Sequence, residues 1–372
     1  MIQGIRKDAY KATRYVPGKT TDAVIREYGI RHVVKLGSNE NNYAPFPGVL
    51  AVMEQELRRA NVYPEKNYVR LRQLLAARLG LQESWIGLGH GAGNVLDTVA
   101  KTFLEDGDEV ILPRQSYGLY KDISWVMGAR VVFTPLTERC TIDLDAIAAA
   151  ITPKTKLIWL CNPNNPTSTA ADREKLDRLV DGLAPGTWLV LDEAYREFAD
   201  PALMPDTVGY LKQGKNVLCV RTFSKYYGLA GQRIGYLAAR PEVIGFYDTV
   251  AEPFNANRVG LAGAVALLET GCAEADRYLA RMLADRTRMC RELQKLGCAV
   301  LPSQTNFLFV GIPCDAEAVN EELLRAGVIV RPCTGWNFPD HLRVTVGTTE
   351  ENRYFLQTLA QALRRVQGGS VA

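Results

Sequence analysis

Residues 189–195 read Leu189-Val190-Leu191-Asp192-Glu193-Ala194-Tyr195, an uncharged apolar run followed at once by a carboxylate and a phenol. A short apolar run that stops abruptly at polar residues is the pattern of a strand covered on both faces. Upstream, Leu157-Ile158-Trp159-Leu160 ends in Cys161-Asn162-Pro163-Asn164-Asn165-Pro166-Thr167. Downstream, the apolar run 217–220 leads to Thr222-Phe223-Ser224-Lys225, with Arg233 eight residues further on. Three strands thus each deliver polar groups at their C-terminal ends: an amide, then a carboxylate with a phenol, then an amine with a hydroxyl. In open parallel α/β sheets that edge is where ligands bind.

The rest of the chain agrees with such a sheet. A strand at 86–90 runs through glycines into an apolar-periodic helix over 95–104. Strands at 109–112 and 129–134 alternate with helices near 117–127, 144–151 and 170–183, and a further strand is read at 234–238. This alternation predicts βαβ units and a mostly parallel sheet. Helices are also read at 49–59 and 68–79. Residues 1–40 read as irregular, apart from the apolar run at 32–36. The region 259–296 is too long for one ordinary helix and reads as a link between two domains. Beyond it, strands at 299–301, 306–310, 328–330 and 342–346 with helices at 316–326 and 350–366 read as a small α+β unit, and 367–372 as a frayed tail.

Composition narrows the function classes. With 372 residues the chain can build two domains. A net charge of +3 with no Lys/Arg block gives no reason to expect nucleic acid or a membrane surface as partner. There is no signal-peptide pattern at the start and no apolar run long enough to span a bilayer. The eight cysteines show no Cys-x-x-Cys pair and no disulfide framework, which reads as a reducing, cytoplasmic compartment. The three histidines lie far apart in sequence, so no metal site is expected.

Taken one at a time, the polar residues admit ordinary readings. Lys225 can be a solvated lysine, Asp192 a strand-end cap, Asn165 a turn residue. Together they match the parts of one cofactor, pyridoxal 5′-phosphate. Lys225, flanked by Phe223, Tyr226 and Tyr227, is the candidate for the amine that bonds to the cofactor and shuttles protons. Asp192 is the candidate partner of the pyridine nitrogen, and Tyr195 with Asn165 of the 3′-oxygen. Gly91, Ala92 and Gly93, at a strand-to-helix turn, offer backbone N–H groups to a phosphate. Ser224 adds a hydroxyl and Arg233 a guanidinium, with Thr222 a further cofactor contact. Tyr117 is a candidate to stack on the ring, although spacing alone does not separate that from core packing. Arg343 interrupts an apolar strand and calls for an anion, such as an amino acid's α-carboxylate. Arg331 can take a second anion or form a structural ion pair.

These segments resemble fold-type I aminotransferases and, among them, the histidinol-phosphate aminotransferase family. Arg14-Tyr15-Val16-Pro17-Gly18-Lys19, Lys35-Leu36-Gly37-Ser38-Asn39-Glu40-Asn41, Val62-Tyr63-Pro64, Pro253-Phe254-Asn255-Ala256-Asn257 and 327–347 extend the resemblance over nearly the whole chain. It implies a large domain at 41–257 with a mostly parallel seven-stranded sheet, and a smaller α+β domain from 1–40 with 258–372. It implies a homodimer with shared sites, in which Tyr63 reaches the neighbouring subunit's cofactor. Tyr15, Asn41, Arg331 and Arg343 are implied to bind substrate, Arg343 taking the α-carboxylate of glutamate and Arg331 with Tyr15 a phosphate or side-chain carboxylate. The implied reaction moves an amino group between L-glutamate/2-oxoglutarate and histidinol phosphate/imidazole-acetol phosphate, a step of histidine biosynthesis. Two positions depart from the family pattern: Ala92-Gly93-Asn94 lacks the usual acidic pair, and Ser168 stands where glycine is usual. An aromatic or broad-range aminotransferase, or a lyase such as a threonine-phosphate decarboxylase, would use much the same residues. The glycines at 87–93 do not form a dinucleotide fingerprint.

Overall fold

The computed structural model describes residues 5–12, 18–270 and 272–368. After a two-residue strand β1 (Val34–Lys35), the chain builds β2 (Ile86–His90), β3 (Glu109–Pro113), β4 (Arg130–Thr134), β5 (Thr155–Cys161), β6 (Trp188–Asp192), β7 (Val217–Thr222) and β8 (Ile234–Ala238). These last seven form one sheet in the order β2-β8-β7-β6-β5-β3-β4. Only β8 runs antiparallel to its neighbours. The three apolar runs are its centre: Trp159, Leu160, Leu189, Val190, Leu191 and Val220 are fully buried. Such burial on both faces is what their unbroken apolar patterns require. Cys161 is in register with Asp192, and Asp192 with Val220, so the polar ends of the central strands align along one edge.

The C-terminal part adds β9 (Ala299–Val300), β10 (Phe307–Gly311), β11 (Val328–Ile329), β12 (Arg331–Pro332) and β13 (His341–Thr345). A four-stranded sheet has the order β12-β13-β10-β9, while β11 pairs in parallel with β1. The strand expected at 328–330 is the two-residue β11, and directly after Val330 a second short strand, β12, serves the other sheet. This switch brings the N-terminal segment against the C-terminal unit.

Other expectations change in detail. The helical region read at 259–296 is two helices, Arg258–Glu269 and Ala273–Lys295, interrupted by Cys272 in the left-handed region at φ 63°. Residues 21–28, read as irregular, form a helix capped by Thr20, whose hydroxyl accepts from the Ala23 N–H at 3.2 Å. Only Val24 of that helix is buried, so the apolar periodicity that marks a helix was too sparse to read. Helices Thr207–Lys212 and Pro241–Val250 also went unread. Among the described residues no helix is long and apolar enough to cross a membrane.

Ser168, the departure from glycine noted above, sits at φ 63° in the loop after β5. It is fully buried, and its Oγ has no hydrogen-bond partner. A left-handed backbone disfavours any side chain, and a buried unpaired hydroxyl adds a desolvation cost. Both exceed the extra unfolded-state entropy of a glycine. Ser168→Gly should stabilise the protein by about 1 kcal/mol, read as a higher midpoint in urea unfolding; a lower midpoint would refute this account.

Candidate active site

One cavity of about 580 Å³ opens where the polar strand ends meet the four-stranded sheet. Its lining includes Ala92, Gly93, Tyr117, Asn165, Asp192, Tyr195, Thr222, Ser224, Lys225, Arg233, Arg331 and Arg343. Twelve of the residues singled out from sequence therefore converge on one space, from eight separate segments of chain.

Lys225 lies just beyond β7, and its Nζ donates to Ser38 O at 3.1 Å. Burial, and then the charge of Arg343, lower its pKa to about 7, with Glu40 opposing and Arg233 adding to the effect. A large fraction of this amine is thus neutral at physiological pH, which nucleophilic and proton-transfer roles require. Asp192 ends β6 nearly buried. Tyr120 Oη donates to its Oδ2 at 2.8 Å and the Ala194 N–H to its Oδ1 at 3.0 Å. Burial nevertheless raises its carboxyl to about 6. A carboxylate in this state gains from a cationic N–H brought against it.

Tyr195 accepts a hydrogen bond from Asn39 Nδ2 at 3.0 Å, and burial raises its phenol well above the ordinary value. Asn165 Oδ1 accepts from Arg343 Nη1 at 2.7 Å, and Arg343 Nη2 donates to Gly37 O at 2.7 Å. The acceptor end of the Asn165 amide is thus committed, and its N–H end is the one that can serve a ligand oxygen. Tyr117 packs edge-on against Tyr120, which stacks on Trp159 with ring centroids 5.6 Å apart.

The start of helix Gly91–Phe103 borders the cavity at Ala92 and Gly93. Gly91 has φ 76°, and a Cβ there would lie 2.5 Å from Arg233 Nη2. A Cβ on Gly235 would lie 2.5 Å from the Ala92 nitrogen. Glycine at these two places lets β8 and Arg233 press against the helix N-terminus. Arg233, itself left-handed at φ 53°, donates to Ser224 Oγ at 3.3 Å and to Ala230 O at 2.9 Å. Thr222 Oγ1 and Ser224 Oγ are 2.9 Å apart. Backbone N–H groups, two hydroxyls and a guanidinium thus face one corner.

Three expected residues are placed elsewhere. Asn41 is not among the cavity-lining residues; its Nδ2 donates to Tyr226 O at 3.3 Å and its Oδ1 accepts from the Tyr43 N–H, so it braces the lysine segment from behind. Gly91 is not among the cavity-lining residues either and lies against the Arg233 guanidinium at the start of its helix. Tyr63 is 75% exposed and stacks on Phe254 outside the cavity of its own chain. Tyr15 lies outside the described residues. Sequence reading passed over Asn39, Tyr120 and Trp336, although Trp336 shares the cavity wall with both arginines. Asn39 sat in a quoted motif, but nothing local tells it apart from Asn41. Tyr120 and Trp336 carry aromatic rings that pattern alone assigns to a core.

The donor set fits pyridoxal 5′-phosphate: an amine, a carboxylate for a ring nitrogen, a phenol with an amide for a ring oxygen, and a phosphate cradle shaped by two glycines. Comparisons with known proteins agree. Residues 31–359 match the family described as aminotransferase class I and II. A histidinol-phosphate aminotransferase of Anaeromyxobacter sp. is 40% identical, covering 94% of this chain and 96% of the relative. Histidinol-phosphate aminotransferase 2 of Nitrosospira multiformis is 37% identical, covering 96% and 91%. The crystal structure of histidinol-phosphate aminotransferase from Sinorhizobium meliloti, in complex with pyridoxal 5′-phosphate, superimposes with a TM-score of 0.88 at 27% identity, covering 97% of this chain and 98% of that one.

The depressed Lys225 pKa has a measurable consequence. When cofactor-free protein is mixed with pyridoxal 5′-phosphate and trapped with borohydride, labelling of Lys225 should rise with a midpoint near pH 7, as its amine loses its proton. Peptide mapping from pH about 5.5 to about 11 reads this, and a midpoint near that of a solvated lysine, about 10.4, would contradict it.

Proposed function

This chain belongs to the aminotransferase class I and II family and, within it, to the histidinol-phosphate aminotransferases, and we propose that it transfers an amino group between L-glutamate/2-oxoglutarate and histidinol phosphate/imidazole-acetol phosphate in histidine biosynthesis. The observation that carries this reading is the convergence of Lys225, Asp192 and Arg343 on one cavity beside the phosphate cradle. Pyridoxal 5′-phosphate supplies, when bound, an aldehyde carbon that takes up the amino group and a ring that accepts the electrons released at Cα.

The chain's own groups divide the remaining work. Lys225 Nζ, whose pKa is lowered to about 7 so that a substantial share of it is neutral at physiological pH, takes the Cα proton of the amino donor and returns it later in the cycle. Asp192 keeps a proton on the ring nitrogen, and Tyr120 and the Ala194 N–H hold that carboxylate in place. Tyr195 and Asn165 hold the ring oxygen. Ala92, Gly93, Thr222, Ser224 and Arg233 hold the phosphate. Arg343 receives the α-carboxylate of glutamate and Arg331 the second anionic group, a phosphate or side-chain carboxylate.

We further take residues 41–257 as the large domain and 1–40 with 258–372 as the small one, in keeping with the parallel pairing of β1 with β11. A cytoplasmic homodimer accounts for the exposed apolar segment around Leu57, Val62, Tyr63 and Phe254. In such a dimer Tyr63 would complete the neighbouring subunit's phosphate site.

The test is a screen of donors and acceptors. Histidinol phosphate with 2-oxoglutarate should yield glutamate without release of carbon dioxide, and Lys225→Ala should abolish both turnover and the visible absorbance of the bound cofactor. Faster turnover of phenylalanine or tyrosine would overturn the substrate assignment, and carbon dioxide from threonine phosphate the reaction type. Shared sites have their own check. Mixed subunits of Lys225→Ala and Tyr63→Ala should recover activity that neither variant shows alone, because one site in each mixed dimer is intact. No recovery from a sample shown by sedimentation to contain mixed dimers would refute the sharing.

A further inference from the structure

Arg331 and Arg343 are direct partners across the β12–β13 pair. Ordinary sheet energetics disfavours this, because like charges set opposite each other repel. The connection between the two strands carries the residue that offsets it. Trp336 closes the short turn Thr334–Trp336, and its ring centroid lies 5.7 Å from the guanidinium carbon of Arg331 and 5.7 Å from that of Arg343. Both distances lie within the range over which an indole face attracts a cation.

The indole is itself fixed. Its Nε1 donates to Ser116 O at 2.8 Å, next to Tyr117. Ser116 Oγ donates to Asn164 Oδ1 at 2.8 Å, and the next residue, Asn165, accepts from Arg343. A closed circuit of contacts therefore runs Trp336–Ser116–Asn164–Asn165–Arg343 and back to Trp336, tying the four-stranded sheet to the loops that bear Tyr117 and Asn165.

We infer that Trp336 is a positioning residue that holds the two guanidinium groups side by side as one site for dianionic substrates. This rests on the reading above that Arg331 and Arg343 take the substrate's anionic groups. A donor with two separated anions engages both arginines, whereas a monocarboxylate amino acid engages one. Trp336 therefore contributes to the preference for the former.

The holoenzyme tests this with glutamate and alanine as donors and two variants, each checked for an unaltered cofactor absorbance and circular dichroism spectrum. Trp336→Leu removes the aromatic face; KM for glutamate should rise roughly tenfold, more than kcat falls, and the glutamate-to-alanine ratio of kcat/KM should drop by a similar factor. Trp336→Phe keeps a ring face but lacks the indole N–H, and should retain most of that ratio. An unchanged ratio in Trp336→Leu, or an equal loss in both variants, overturns the inference. Calorimetric titration with succinate and with butyrate supplies a readout independent of turnover. The preference for succinate should be present in the wild-type protein and lost in Trp336→Leu. If the wild-type protein transaminates neither donor yet shows this succinate pattern, the positioning role stands and the aminotransferase reading falls. If it transaminates but the pattern is absent, the positioning role falls alone.

Discussion

Arg343 reaches out of the four-stranded sheet, gives one N–H to Asn165 Oδ1 and another to Gly37 O, each at 2.7 Å, and so joins the two sheets at the cavity. A guanidinium that is almost fully buried is tolerable only where acceptors are fixed for it. Here the acceptors come from the loop after β5 and from the segment after β1. The position of the small sheet relative to the large one is thus coupled to the Asn165 side chain, which lines the cavity. Loss of either acceptor would leave one of the Arg343 N–H groups unsatisfied in low dielectric.

The same low dielectric explains the titration behaviour. Burial favours the neutral form of both Lys225 and Asp192, one shifted down and the other up. Neighbouring arginines push Lys225 further in the same direction, while for Asp192 the hydrogen bonds from Tyr120 and Ala194 pull the other way. The cavity is therefore a poor solvent for its own ionisable groups until something charged and complementary enters. A ligand that brings a phosphate to the Arg233 corner and a cationic ring N–H to Asp192 relieves these strains together, and any ligand that binds only the folded chain stabilises it.

Much of this was legible in the sequence because it is local. Strands buried on both faces announce themselves as unbroken apolar runs, and the few residues that follow each run mark the ligand edge; Asn165, Asp192, Tyr195, Thr222, Ser224 and Lys225 all lie within five residues of such a run and line the cavity. What stayed hidden depends on long-range contact. Tyr120 matters because it meets Asp192 across 72 positions of chain. Trp336 matters because Ser116 lies 220 residues away. The Asn39 and Asn41 roles could not be told apart because both are asparagines in one short motif, and only the turn geometry decides which one points at Tyr195. The helix at 21–28 was missed for a different reason: one buried valine cannot signal a period.

Residues that break a local rule sort themselves by what surrounds them. Arg233 adopts a left-handed backbone, and Arg331 faces Arg343 as a like charge across a strand pair. In both cases the side chain lines the cavity and is held there: Gly91 leaves room for the guanidinium of the one, and the face of Trp336 attracts both members of the other. Ser168 breaks the same backbone rule, yet its hydroxyl is buried with no partner and does not line the cavity. Strain that is compensated beside a cavity has a ligand to account for it. At Ser168 neither a cavity nor a hydrogen-bond partner accompanies the same backbone, and there it is a cost in stability.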